Sequence, residues 1–397
     1  MNRKEKVSIA LALSSLFIAY VGIGLAVPVI PSIAEELSLS GAFVGYLYAA
    51  MAFAQLLVSP FTGVWVDSIG RKKMIVIGLL LFSFSEVLFG FANETWLLFV
   101  SRLLGGVSNA FIMPAVITYI ADKTTLANRA KVLGYQSAAI SSGFIIGPAI
   151  GGFIAEFGIR APFFFAAAIS LIAAIVIFSL LDESISKEQL QKNRASAVRP
   201  QFIQEFKKSF HPQYFTPLLI VFVLAFGLAV YEMMFSLFVD EKFGFTVRDI
   251  SIIITVGSIA GVVAQILFFD KLVNLIGERM LINLSLLSTA IFIFITILVD
   301  GYWMMIVITS IAFFSCDILR PAVTSFLSKI AGENQGYIAG MNSAYTSLGI
   351  ILGPIIGGIL FDINIDMPYI FATIVLVIAF VISSVKLKKP NPSSCTF

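Results

Sequence analysis

Long apolar runs, broken at short intervals by charge, proline or asparagine, fill this chain from end to end. A helix that crosses the hydrocarbon of a bilayer needs about 20 mostly apolar residues. Twelve runs of that order are present, at 7–30, 43–64, 74–91, 96–120, 132–157, 161–181, 216–239, 250–268, 281–299, 303–327, 341–361 and 369–385. The pattern predicts an all-α integral membrane protein with twelve transmembrane helices. The first run, starting at Val7, carries no small-residue cleavage signature and is expected to remain as a span. The one long hydrophilic stretch carries Lys187, Lys192, Arg194, Arg199, Lys207 and Lys208. It predicts a six-helix bundle at 1–181, a basic cytoplasmic linker at 182–214, and a second six-helix bundle with a short tail at 215–397.

Composition sharpens this picture. Of 397 residues, 59% are apolar and 12% charged, about half the charged share of a soluble domain. Thirty-eight phenylalanines and 29 glycines are more apolar side chain than one soluble globule hides, so lipid must cover the excess. The net charge of +3 is spread over loops, which excludes the massed basic face of a nucleic-acid binder. Cys316 and Cys395 form no disulfide framework and are expected to be free thiols.

The loop charges predict an orientation. Arg3, Lys4, Lys6, Arg71, Lys72, Lys73, Lys123, Arg129, Lys131, the linker and the tail Lys386, Lys388 and Lys389 fall on one side. Arg160, Lys242 and Arg248 fall on the other. The positive-inside rule then places both termini and the linker in the cytoplasm.

An internal repeat sets the architecture. Gly143, Gly147, Pro148, Gly151 and Gly152 recur 206 residues later as Gly349, Gly353, Pro354, Gly357 and Gly358. Gly134 matches Gly340 and Ser137 matches Ser343 at the same offset, and Gly70 matches Gly277 with one residue of slippage. Two parallel copies of a six-helix unit suit a rocking transporter with its substrate site near the midplane where the repeats meet.

Several motifs carry chemistry. Gly63, Asp67, Gly70 and Arg71 lie in the loop between the second and third runs; Ser101, Arg102, Gly105 and Gly106 lie in the fourth; GFIIGPAIGG, residues 143–152, lies in the fifth. On these residues the chain resembles the major facilitator superfamily. The stretches GIGLAVP at 22–28, FGLAVYE at 226–232 and DILRPA at 317–322 make it similar to the NorA and Bmr type of multidrug efflux pump of Gram-positive bacteria. The resemblance implies drug export in exchange for protons. It further implies that Asp67 and its loop act as a cytoplasmic lock, that Arg102 acts in proton transfer or holds a carboxylate, and that the fifth-span motif marks an antiporter. Physically, Gly143, Gly147 and Gly151 form a smooth stripe for a neighbouring helix, and Pro148 bends its own helix.

Ionisable residues deep in spans are few, namely Glu86, Arg102, Glu232, Asp317 and Arg320, and each is a functional candidate because a charge at the bilayer centre costs at least about 2.5 kcal/mol. Glu232, Asp317, Arg320 and Arg102 are the candidate proton-coupling set, Arg320 lying one turn from Asp317 and able to compete for it. Glu86, in the third run, is expected to have a structural partner. The sole histidine, His211, falls in the linker and is not a membrane proton relay. Resemblance and helical phase nominate Tyr20, Ile23, Val27, Gln55, Met113, Ile140, Phe144, Tyr231, Phe235 and Phe313 as the substrate walls. Such walls suit amphipathic cations and zwitterions, quinolones and dyes among them, through dispersion and cation-π contact.

No G-x-x-x-x-G-K-[ST] loop occurs, so ATP is not the expected energy source. We expect no enzyme activity, cofactor or metal, and a monomer in the bacterial cell membrane whose partners are lipophilic drugs, protons and lipids. A proton-linked carrier of sugars or other metabolites and a non-transporting membrane sensor are the competing readings. A shortage of midplane Asn, Gln and Asp able to grip hydroxyls argues against sugars.

Overall fold

The computed structural model describes all residues except 1–2, 187, 191–208, 211, 332–334 and 387–397. His211, Cys395, the basic residues of the linker and the last lysines of the tail lie outside the described residues.

Backbone polar groups find no water in hydrocarbon, so each apolar run must satisfy its own hydrogen bonds as a helix. The first run forms α1 (Arg3–Ala26), a 3-10 turn at Val27–Val29 and a short α2 (Ile30–Glu36). Pro28 and Pro31 cause that break, since neither donates a backbone hydrogen bond. The remaining spans are α3 (Gly41–Ile69), α4 (Arg71–Phe91), α5 (Thr95–Lys123), α6 (Leu126–Ala155), α7 (Ala161–Leu180), α8 (Pro212–Phe243), α9 (Val247–Ile276), α10 (Glu278–Leu298), α11 (Tyr302–Ala331), α12 (Gln335–Ile363) and α13 (Met367–Lys386). Among the described residues twelve spans are long and apolar enough to cross a membrane, and no strand occurs. The chain is an all-α, multi-pass membrane protein.

Most helices overrun the apolar runs. The 30 residues of α11 extend about 45 Å, against about 30 Å of hydrocarbon. Hydropathy marks the lipid crossing, whereas the helix continues until a cap stops it. Gly70 (φ 112°) and Gly277 (φ 77°) stop α3 and α9 in a backbone region that L side chains rarely adopt. Thr246 and Asp249 form a capping box that starts α9.

The chain forms two compact units, one of Met1–Ser38 with Ala50–Pro200, the other of Leu39–Ala49 with Gln201–Phe397. In the first, α1 packs on α6 and α7, and α4 on α5 and α7. In the second, α8 packs on α12 and α13, α10 on α11 and α13, and α9 on α11. Apart from the α9–α11 contact, these are corresponding helices of the repeat. Residues 39–49 join the second unit through α12: the amides of Gly41 and Ala42 donate to the two carboxylate oxygens of Asp362 at 2.6 and 2.9 Å.

Candidate functional site

In the second unit the candidate charges gather on α8 and α11. Arg320 Nη2 donates to Glu232 Oε1 at 3.0 Å, and both side chains stay partly exposed, 51% and 29%. Arg320 thus pairs with an acid 88 positions away and not with Asp317 one turn before it. Asp317 is half-buried. It lies against α9, its carboxylate where a Cβ on Gly261 would stand, and it makes no hydrogen bond or ion pair among the described residues. Gly257 and Gly261, one turn apart, open this space: a Cβ at Gly257 would lie 3.1 Å from the Phe313 ring. That glycine pair was legible as a small-residue stripe in the eighth apolar run, and sequence reasoning did not use it.

The first unit holds a different pair. Glu86 of α4 and Arg102 of α5 are buried, with 1% and 7% of their surface exposed. Arg102 Nη1 approaches Glu86 Oε1 at 3.5 Å, and its guanidinium lies 4.0 Å from the centre of the Phe89 ring. Glu86 Oε2 and Arg102 Nη2 are buried without partners. The carboxylate facing Arg102 is therefore Glu86, sixteen residues earlier in the chain. The repeat offers no copy of this pair in the second unit, which was the available sign that it answers a local need.

The nominated walls divide between open and closed settings. In the first unit Tyr20 stacks obliquely on Phe144 at 4.9 Å, its hydroxyl reaches Met113 Sδ at 3.9 Å, and Phe144 is 41% exposed. Gln55 accepts from Asn109 Nδ2 at 3.4 Å. Ile23, Met113 and Ile140 are partly buried against the first unit's core, and Val27 sits half-buried in the 3-10 turn. In the second unit Tyr231 and Phe235 are fully buried. Tyr231 packs on Phe235, Phe313 and Tyr369, with ring centres 5.6, 6.2 and 5.8 Å away, and its hydroxyl donates to Thr309 Oγ1 at 3.4 Å. Helical phase explains the difference: Glu232 is one residue further, about 100° round α8, and points elsewhere.

The loop between α3 and α4 is built by charge. Arg71 is buried and ion-paired on two sides, to Asp67 at 2.8 Å and to Asp122 of α5 at 2.9 Å. Glu183, at the start of the linker, accepts from the backbone amides of Arg71 at 3.0 Å and Lys72 at 3.4 Å, so it caps α4. Beside it Lys4 hydrogen-bonds Asp182 at 2.9 Å and holds that carboxyl below the usual range. Among the described residues no heavy atom lies within 4 Å of the Cβ that Gly63 lacks.

The glycine stripe of α6 faces α1. A Cβ on Gly143 would lie 2.9 Å from Phe17 O, one on Gly147 would lie 2.8 Å from Gly24 Cα, and one on Gly151 would lie 2.9 Å from Leu25 Cα. Pro148 touches Gly24 in the same seam, and Gly152 is buried beside it. In the second unit Gly349 and Gly353 meet α8 in the same way, 2.7 Å from Phe226 N and 2.8 Å from Phe226 O. Among the described residues no group of three or more His, Cys, Asp or Glu side chains gathers as metal ligands would.

The sequence profile of the Major Facilitator Superfamily matches residues 12–267 and 217–395, which together cover nearly the whole chain. The chain belongs to the major facilitator superfamily. It is 51% identical over 391 residues to "Multidrug resistance protein 2" of Bacillus subtilis (strain 168), covering 98% of each chain. It is 40% identical over 358 residues to "Quinolone resistance protein NorA" of Staphylococcus aureus, covering 90% of this chain and 91% of that protein. Among solved structures, a bacterial homologue of the human lysosomal transporter Spinster superposes with a TM-score of 0.81 at 14% identity, covering 99% of both chains. At that identity the likeness speaks for the fold alone.

Proposed function

We propose that this superfamily member is a proton-coupled multidrug antiporter of a bacterial cell membrane, exporting amphipathic and often cationic or zwitterionic compounds by alternating access. The observation that carries this reading is the partly exposed cluster of Glu232, Asp317 and Arg320 in otherwise apolar spans, in a chain 51% identical to a multidrug resistance protein. A charge held in that setting needs water, a proton or a cationic ligand to offset its desolvation. A proton on Glu232 would remove the carboxylate that holds Arg320 and free the guanidinium to turn toward Asp317. A lipophilic cation would compete with the proton for the same carboxylates. The exposed Phe144 ring beside Tyr20 supplies an aromatic surface for a planar, cationic drug.

The energetics suit resistance. One proton crossing about 100 mV releases about 2.3 kcal/mol, roughly a fiftyfold gradient for a drug that moves no net charge. The test is efflux of ethidium from cells making the chain, with and without a protonophore, for the unaltered protein and for Asp317→Asn. Asp317→Asn keeps the side chain's size and removes its titration, so uphill export is expected to fall to equilibration while ethidium still binds. Uphill, protonophore-sensitive export by Asp317→Asn would refute the assignment of Asp317. Export insensitive to the protonophore in the unaltered chain would refute proton coupling.

A further inference from the structure

Each six-helix unit is closed at both ends by an ion pair between corresponding positions, and the signs of the charges are exchanged between the units. At one end of the first unit, Glu36 stands five residues before α3 and Arg160 immediately before α7; the corresponding residues of the second are Lys242, five before α9, and Asp366, immediately before α13. Arg160 Nη2 donates to Glu36 Oε1 at 3.1 Å, and Lys242 Nζ donates to Asp366 Oδ1 at 2.9 Å. At the opposite end Arg71, the first residue of α4, is ion-paired to Asp122 in the last turn of α5 at 2.9 Å. There Glu278, the first residue of α10, bonds Lys329 in the last turn of α11, also at 2.9 Å.

What stays constant is the charge on the third long helix of each unit. Its C-terminal carbonyls lack helical partners and carry a partial negative charge. Arg160 Nη1 donates to Gly90 O at 3.1 Å and Ala92 O at 2.6 Å at the end of α4; Lys242 Nζ donates to Ile297 O at 2.6 Å at the end of α10. The cation arrives from the sixth span in one unit and the first in the other, yet sits on equivalent carbonyls. The N-terminal end shows the converse. Glu278 itself places a carboxylate at the start of α10, whereas Arg71 has the wrong sign there and Glu183 supplies the carboxylate to the amides of α4.

We propose that Glu36, Arg160, Lys242 and Asp366 are positioning residues for transport. Each pair fixes the end of the third helix so that its six-helix unit moves as one body, and the requirement is a cation on those carbonyls, whichever helix supplies it. The mechanism rests on the transport reading above, but the latch itself is measurable without it. The full chain carrying Glu36→Arg, Arg160→Glu, or both is reconstituted in phosphatidylglycerol–phosphatidylethanolamine vesicles. Hydrogen–deuterium exchange at residues 87–92 and proton-driven ethidium transport are then measured.

Arg160→Glu, which leaves two acids and no cation at those carbonyls, is expected to speed exchange at the end of α4 about tenfold, the scale of a lost, partly buried charge on a helix terminus, whereas Glu36→Arg, which keeps Arg160 there without its counter-ion, should speed it less. Turnover should fall in step while KM for ethidium stays unchanged. The double reversal copies the order found in the second unit and should restore both, and Arg160→Lys should keep both. Where a single reversal fails to fold, folding of the double is the rescue. A double reversal no better than the poorer single, or singles that match the unaltered chain in exchange, would overturn the proposal. If exchange follows this pattern while the unaltered chain moves no ethidium, the transport reading fails and the latch stands.

Discussion

Two alanine substitutions in one helix isolate the close seam between α1 and α6. Gly134 and Gly147 both lie inside α6, so replacing either with Ala gains the same helix propensity, about 0.8–1 kcal/mol. The surroundings differ. Among the described residues nothing lies within 4 Å of the Cβ that Gly134 lacks, whereas that of Gly147 would stand 2.8 Å from Gly24 Cα and 2.8 Å from Val21 O. Ordinary carbon contacts are about 3.5–4.0 Å, so α1 would have to retreat by about 1 Å. Both obstructing atoms are backbone and no rotamer change relieves them. Overpacking of this kind costs about 1–3 kcal/mol, and the propensity term cancels in the comparison. Gly147→Ala should therefore melt below Gly134→Ala by about 2–6 °C, taking about 2 °C per kcal/mol for a chain of this size. Cys316 is buried, so a thiol-reactive dye reports unfolding in detergent once Cys395 is replaced by Ser. Equal melting temperatures would show that the α1–α6 seam has slack which the geometry denies.

Two further outcomes follow from other regions. Glu86→Gln should leave Arg102 charged and buried without its counter-ion, lowering stability by about 3–5 kcal/mol, while joint replacement by Leu and Met at these positions should recover most of the loss; a double variant no more stable than Glu86→Gln in the same melting assay would show that the pair is not coupled. Single cysteines placed near Lys6 and Arg194 should resist an impermeant thiol reagent in intact cells, because the basic loops mark a cytoplasmic side; labelling of either would reverse the orientation.

The sequence by itself determined the twelve helices, because a bilayer admits few ways to satisfy a buried backbone and an apolar run of that length leaves only one of them. It determined the repeat as well, since the same glycine spacing in residues 143–152 and 349–358 demands the same close packing twice. It also singled out the ionisable residues within the spans, because any charge within an apolar run is conspicuous. Partners were a different matter. Arg320 was legible as a neighbour of Asp317, but its bond goes to Glu232 on another helix. Tyr231 and Phe235 read as walls beside Glu232 and are instead fully buried. Arg102 called for an acid, and only the packing of α4 on α5 assigns Glu86. Periodicity fixes which face of a helix a residue occupies, whereas the rotation of that face toward one neighbour or another is settled by the packing of several helices at once. The exchanged ion pairs at the ends of the two units show the same limit: opposite residues at corresponding positions look like divergence along the chain, and only the equivalent carbonyls that Arg160 and Lys242 reach reveal one electrostatic requirement met in two ways.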